Sequence, residues 1–248
     1  MFTKNDGEAR AMHPLVSLGL ILGASLIIGI VIVGGILFKI KGSGDVVSVT
    51  GSAKIQVTSD QAKWITQISR TVRESNLKGG YAQLATDLTN ARAFFVAQSI
   101  LDTELTVSPI TMNEVYQQDQ AAEKMYTLSQ VLTAQSSDVA KLTAAANRVA
   151  TLVEKGTLFS TIALEYYYSK LPDARIELLS QAIDDAKLRV VQIAKTSGRG
   201  VGSLKSASSG VVQVQSLNST DVSDYGGYDT SQIEKQITVT VKAVFSLK

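Results

Sequence analysis

Within residues 45–57 apolar and polar positions alternate from Val47 onward: Val47, Val49, Gly51, Ala53, Ile55 and Val57 fall on one side, Ser48, Thr50, Ser52, Lys54 and Gln56 on the other. A period of two predicts a half-buried strand. Gly51 stands inside it, which points to a bulge or to a backbone passing close by. Residues 62–72 repeat the pattern, with Trp64, Thr66, Ile68, Arg70 and Val72 in one row. The period then lengthens. Tyr81, Leu84, Leu88, Ala91 and Phe95 lie three and four apart, the stripe of a helix resting on a sheet. Ser75 is its expected N-cap, and Gly79 and Gly80 weaken its opening turns. Residues 105–118 return to extended character, broken at Pro109. A polar turn and a further strand over 125–135 follow.

Asp138 is placed to cap a second helix over 139–156, buried along Val139, Leu142, Ala146, Val149 and Val153 and stopped by Gly156. Residues 158–169 read as a strand with Ile162, Leu164, Tyr166 and Tyr168 on one face. A third helix is expected from after Pro172 to near Gly198. Ala174, Leu178, Ala182, Ala186, Val190 and Ala194 step by four along it, and Leu179, Ile183 and Ile193 widen the stripe. After one more strand and a polar Ser, Asp and Gly loop, the chain closes on a regular strand with Ile237, Val239, Val241, Ala243, Phe245 and Leu247 on one face. This order predicts an α+β fold, mostly antiparallel sheet packed by about three helices.

Residues 14–38 break every period, because they carry no charge at all. As a helix, residues 15–38 reach about 36 Å, enough to cross a hydrocarbon layer of about 30 Å. Ser17 and Ser25 can bond back to their own helix, and the glycines at 19, 23, 29, 34 and 35 suit a membrane span. The run is too long for the apolar region of a cleaved signal peptide and lacks a small-residue cleavage pattern. The expected division is a short cytoplasmic segment (1–14), a retained transmembrane anchor (15–38), a tether (39–44) and one soluble domain (45–248). Lys4 and Arg10, offset by Asp6 and Glu8, precede the span and Lys39 and Lys41 follow it, so charge alone leaves the orientation open.

Composition narrows the chemistry. The 248 residues include no cysteine and one histidine, His13, just before the span. Thiol catalysis, a histidine general base and cysteine or histidine metal sites are therefore excluded from the soluble part, and no cofactor or metal is expected. The first 44 residues hold four basic and two acidic groups, which leaves twenty of each sign in the rest. Such a balance offers no footprint for nucleic acid. Paired carboxylates could still do acid-base work, but sequence spacing does not reveal them.

Five local features invite a functional reading. Asp173, Glu177, Asp184, Asp185, Lys187 and Arg189 crowd the third helix, at spacings that suit a solvated face with three- and four-residue ion pairs. The glycines of 197–206 follow a helix instead of joining a strand to a helix, unlike a phosphate loop. Tyr166, Tyr167 and Tyr168 alternate in direction and read as packing, not as a stacking platform. Tyr225 and Tyr228, around Gly226 and Gly227, read as an exposed aromatic turn and as the candidate contact for a partner. Asn218, Ser219 and Thr220 fit a glycosylation pattern, a weak match without a eukaryotic secretory context.

Taken in order, four stretches resemble the SIMPL family, also called domain of unknown function 541. They are residues 47–53, with Gly51 in the opening strand; residues 126–133; Tyr168 and Ser169 followed by Ala182, Asp185, Ala186 and Lys187; and the closing strand. The resemblance covers residues 45–248. Members commonly have Pro-Asp where this chain has Ser59 and Asp60, and a cleaved signal peptide where this chain keeps its span. The family includes bacterial periplasmic and outer-membrane immunogenic proteins. The resemblance thus implies an extracytoplasmic domain facing the periplasm or cell exterior, a single-pass inner-membrane protein and no established catalytic residues. It also implies kinship with ring-forming or channel-like assemblies and with envelope stress. The expectation is a non-enzymatic, membrane-anchored homo-oligomer; the alternative is a module that binds a small molecule or peptide.

Overall fold

The computed structural model describes residues 14–41, 45–119, 122–154, 156–219 and 223–248. His13, the charges before it, the tether residues Gly42 to Gly44 and Thr220 of the glycosylation pattern lie outside the described residues. The uncharged segment is one helix, α1 (Pro14–Lys41). Its residues Leu18–Ile36 are all exposed, and Ser25 Oγ bonds back to Leu22 O at 2.9 Å. An apolar helix of this length meets the requirement for crossing a bilayer.

Among the described residues ten strands form two sheets of five. In the first, β1 (Val46–Thr58) lies beside β10 (Glu234–Leu247), which also pairs with β7 (Val201–Ser209) and β8 (Gln213–Ser216). β9 (Gly227–Tyr228) adds to β8 in parallel. In the second, β2 (Gln61–Arg73) is central between β5 (Met125–Ser136) and β6 (Phe159–Tyr167), and β3 (Leu105–Val107) and β4 (Thr111–Val115) pair with β5. All pairings of this sheet are antiparallel. Helices α2 (Leu77–Ala97) and α3 (Val139–Asn147) pack on β2 and β5, with α4 (Ala150–Val153) against α2. Their core holds Trp64, Ile68, Leu84, Phe95, Leu128 and Leu132, and Trp64 meets Phe95 and Phe159 edge-on. A second core joins Ala174 and Leu178 of α5 (Leu171–Thr196) to Val214, Ile237 and Val239.

By contact density the chain divides into two units. One comprises Met1–Val49, Val190–Ser206 and Val244–Lys248; the other comprises Thr50–Arg189 and Ala207–Ala243 and contains both of these cores.

Several local expectations fail for physical reasons. Ser75 does not cap α2: it lies in a 3-10 turn, and its amide is taken by the Glu123 carboxylate at 2.9 Å. The helix runs through Gly79 and Gly80, because Gly80 is where Val72 and Leu128 press closest. Tyr81 is exposed, and the third- and fourth-neighbour stripe continues instead through Asp87. The second helix breaks at Arg148 and Val149 into α3 and α4, although Asp138 caps it as expected, accepting Lys141 N at 2.9 Å. In β6 the register against β2 shifts between Ile65 and Thr66, which leaves Ile162 as an extra residue. A bulge reverses the alternation. Leu164 and Tyr166 face inward as expected, but Ile162 is exposed, and Thr161 beside it accepts the Trp64 indole N–H at 3.1 Å. α5 starts one residue before Pro172, a position where a missing N–H costs nothing. Ile193 is exposed, not part of the buried stripe. Residues 201–209, which begin inside the glycine-containing 197–206 segment, are a strand on β10; Gly202 is held where a side chain would strike Ser246.

A close strand–helix crossing, a tyrosine turn and a buried lysine

Gly51 of β1 sits against α5. A Cβ there would lie 2.5 Å from Ala186 N and 2.8 Å from Ala186 Cβ, and closer still to the Ala182 carbonyl. Only a strand glycine facing helix alanines permits this approach. The neighbouring Ser52 N–H, on an edge strand, donates to Asp185 Oδ2 at 2.8 Å, and Arg189 Nε reaches the same oxygen at 2.8 Å. These two donors, the Ser52 amide first, hold the Asp185 carboxyl below its ordinary range despite the opposing loss of hydration. Of the charged residues crowded on α5, Asp185 thus ties the helix to the sheet; its pair with Arg189 has the expected four-residue spacing. The spacing of Ala182, Asp185 and Ala186 is the packing code for Gly51 and Ser52.

The first turns of α5, the β7–β8 connection and the aromatic turn border an open groove of about 460 Å³, lined by Arg175, Ile176, Leu179, Val211, Tyr225 and Val239 among others. Ile176 and Tyr225 are 73% and 96% exposed. Gly226 has φ +83°, in the left-handed region that favours glycine, and this turns the chain between the two tyrosines.

Tyr228 is placed differently from Tyr225. It is half-buried, its hydroxyl accepts the Tyr168 N–H at 2.8 Å and its ring lies 5.8 Å from that of Tyr167. Tyr167 does enter an aromatic pair, but inside the fold, with its hydroxyl donating to Glu165 at 2.9 Å. Burial first, then Glu165, pushes the Tyr167 phenol up.

Two charged groups were not singled out from the sequence, and both had a legible signal. Lys235 has the same strand parity as Ile237 and Val239, and it is fully buried. Its ammonium donates to the Asp229 and Gln232 carbonyls, the latter at 2.7 Å, and stands 5.6 Å from the centre of the Tyr228 ring. Burial pushes its pKa down, and Asp229 opposes that. The lysine thereby fixes the loop whose Thr230 carbonyl takes the Tyr166 N–H at 2.8 Å and whose Ile233 carbonyl takes the Ser59 N–H at 2.9 Å. Asp87 lies between Leu84 and Ala91 on the α2 stripe. It pairs with Arg70 through two bonds at 2.5 and 2.8 Å, while Arg70 also donates to Gly156 O at 2.6 Å and Thr157 Oγ1 donates to Asp87 at 3.2 Å.

These arrangements bind segments of the chain to one another. Among the described residues no group of three or more His, Asp or Glu is placed to hold a metal ion, and no catalytic motif is present. Comparison with curated proteins yields no match. The family model described as "SIMPL: Protein of unknown function (DUF541)" matches residues 47–245, from the strand that carries Gly51 to the strand that carries Lys235. The chain belongs to the SIMPL family.

Proposed function

We propose that this protein is a membrane-anchored, non-enzymatic component of the bacterial cell envelope that self-assembles through its SIMPL domain, with α1 as a retained inner-membrane span and the domain on the extracytoplasmic side. The observation that carries self-assembly is β6. Among the described residues its strand partner is β2, on one side only, and Leu158 just before it and Ile162 within it are 56% and 54% exposed. The loop held by Lys235 covers the Tyr166 end of this edge, so the open stretch is limited to its first part. The bulge at Ile162 disfavours continuous strand pairing, so the contact is one of side chains. Light scattering on the detergent-extracted full chain tests this: a discrete oligomer that Ile162→Glu dissociates is expected, and a monomer at every concentration overturns it. A link to envelope stress is part of the proposal through the family resemblance alone.

A second reading has its own observation. The groove with Arg175 beside Ile176, Leu179 and Tyr225 joins one cation to apolar walls, which suits a small anionic amphiphile or an acidic peptide. Tyr225, which lines the groove, and Tyr228, three residues further on, would then be the contact residues. Calorimetric titration of a medium-chain fatty acid against the wild type and Arg175→Ala distinguishes the readings, since binding confined to the wild type supports a ligand role.

A further inference from the structure

One end of the unit that contains α1 is held together by short bonds. Gly200 and Lys248 exchange two main-chain hydrogen bonds, at 3.0 and 2.8 Å. Leu247 N donates to Asp45 O at 2.8 Å, and Arg199 Nη1 pairs with Asp45 Oδ2 at 2.8 Å. α5 ends beside them: Gly198, at φ +70°, closes the helix with its own N–H on Lys195 O and the Arg199 N–H on Ala194 O. Three cations, Lys195, Arg199 and Lys248, therefore gather where β1 begins. Asp45 offsets one of them. Among the described residues neither Lys195 nor Lys248 has a carboxylate partner. Ile193, one turn before the helix end, is 46% exposed.

The chain itself limits how far this end can stand from a bilayer. The apolar window closes at Ile36 and α1 continues to Lys41, about 7.5 Å further along the axis, the depth of a headgroup layer. From Lys41 to Val46, where β1 starts, five residue steps span about 18 Å at most. A basic end tethered this closely meets the surface at a high effective concentration, so weak contacts suffice to populate a docked state.

We propose that this end of the domain, through Lys195, Lys248 and Arg199, docks on anionic phospholipid headgroups of the bilayer that holds α1. The inference rests on the reading of α1 as a membrane span. Docking fixes the attitude of this end, and of the unit that contains it, to the membrane. Each uncompensated cation shifts the ratio of docked to free domain roughly 5-fold on an anionic surface relative to a neutral one.

The absence of cysteine makes the test direct. Full-length protein with a single fluorophore at Ser197→Cys is placed in nanodiscs of phosphatidylcholine, with or without phosphatidylglycerol, and quenched by headgroup spin-labelled lipid. Strong quenching in the anionic discs only, lost at high salt and in Lys195→Glu with Lys248→Glu, is the expected result. Equal quenching in both lipids, or quenching indifferent to the charge reversal, overturns the proposal. A second label at Ser25→Cys, quenched by acyl-chain spin label, separates the two readings. If Ser25 is quenched and Ser197 is not, only docking fails; if Ser25 is not quenched, the anchor and the docking fail together.

Discussion

Replacing Gly51 with alanine tests the strand–helix crossing most directly. The added methyl would stand 2.5 Å from Ala186 N and 2.8 Å from Ala186 Cβ, with the Ala182 carbonyl closer still. Two of these neighbours are main-chain atoms, so no rotamer change relieves the clash. Restoring an ordinary contact requires α5 to move away from β1 by about 1 Å. That movement stretches the Ser52–Asp185 bond from 2.8 Å and loosens Ala182 and Ala186, both fully buried. Overpacking of this kind costs about 1–3 kcal/mol, and weakening a hydrogen bond to a carboxylate adds about 1 kcal/mol more. The expected total of about 3 kcal/mol lowers the urea midpoint of the full-length protein in mild detergent by about 1 M. Ser52→Ala, in contrast, keeps the main-chain donor and changes the midpoint little. A Gly51→Ala protein within about 0.5 kcal/mol of the parent would refute the reasoning, because the crossing would then be able to open without loss.

Three further outcomes are expected. Asp185→Asn lowers stability by about 1–2 kcal/mol at neutral pH. It also flattens the acid limb: the native carboxyl titrates below its ordinary range, so its contribution is complete above the unfolded value and is lost as pH falls through the folded one. Acid unfolding followed by circular dichroism checks this, and identical acid limbs would count against it. Arg70→Met leaves Asp87 buried without its guanidinium and costs about 3–5 kcal/mol, whereas Arg70→Met with Asp87→Leu recovers much of that; thermal melts of both decide. For Lys235 the folded pKa is depressed, so the unfolded chain holds the proton more tightly and stability rises with pH through the window between the folded and ordinary lysine values. Lys235→Met abolishes that rise, read as urea midpoints at neutral and alkaline pH, and parallel pH slopes in the two proteins would exclude the buried charge as its source.

The sequence alone determined the elements whose residues answer to a local period. Residues 45–57 and the row of Trp64, Thr66, Ile68 and Val72 are strands as expected. The four-residue ladder from Ala174 to Ala194 is buried along its whole length. The uncharged run is a helix with its surface uncovered, because length and apolarity are properties of the segment itself. Gly51 was legible as a close approach, but what approached it was not. The tertiary structure alone supplied Ala182, Ala186 and Asp185, some 130 residues away. It also decided the bulge at Ile162, the burial of Asp87 and Lys235, and the strand character of residues 201–209. Each departs from local preference because partners distant in the chain compensate it: Trp64 needs the Thr161 hydroxyl, Asp87 takes the Arg70 guanidinium, Lys235 finds two carbonyls and β7 finds β10. Periodicity records what one segment prefers. A buried charge or a register shift is stable only through groups from elsewhere in the chain, so only the assembled fold reveals it.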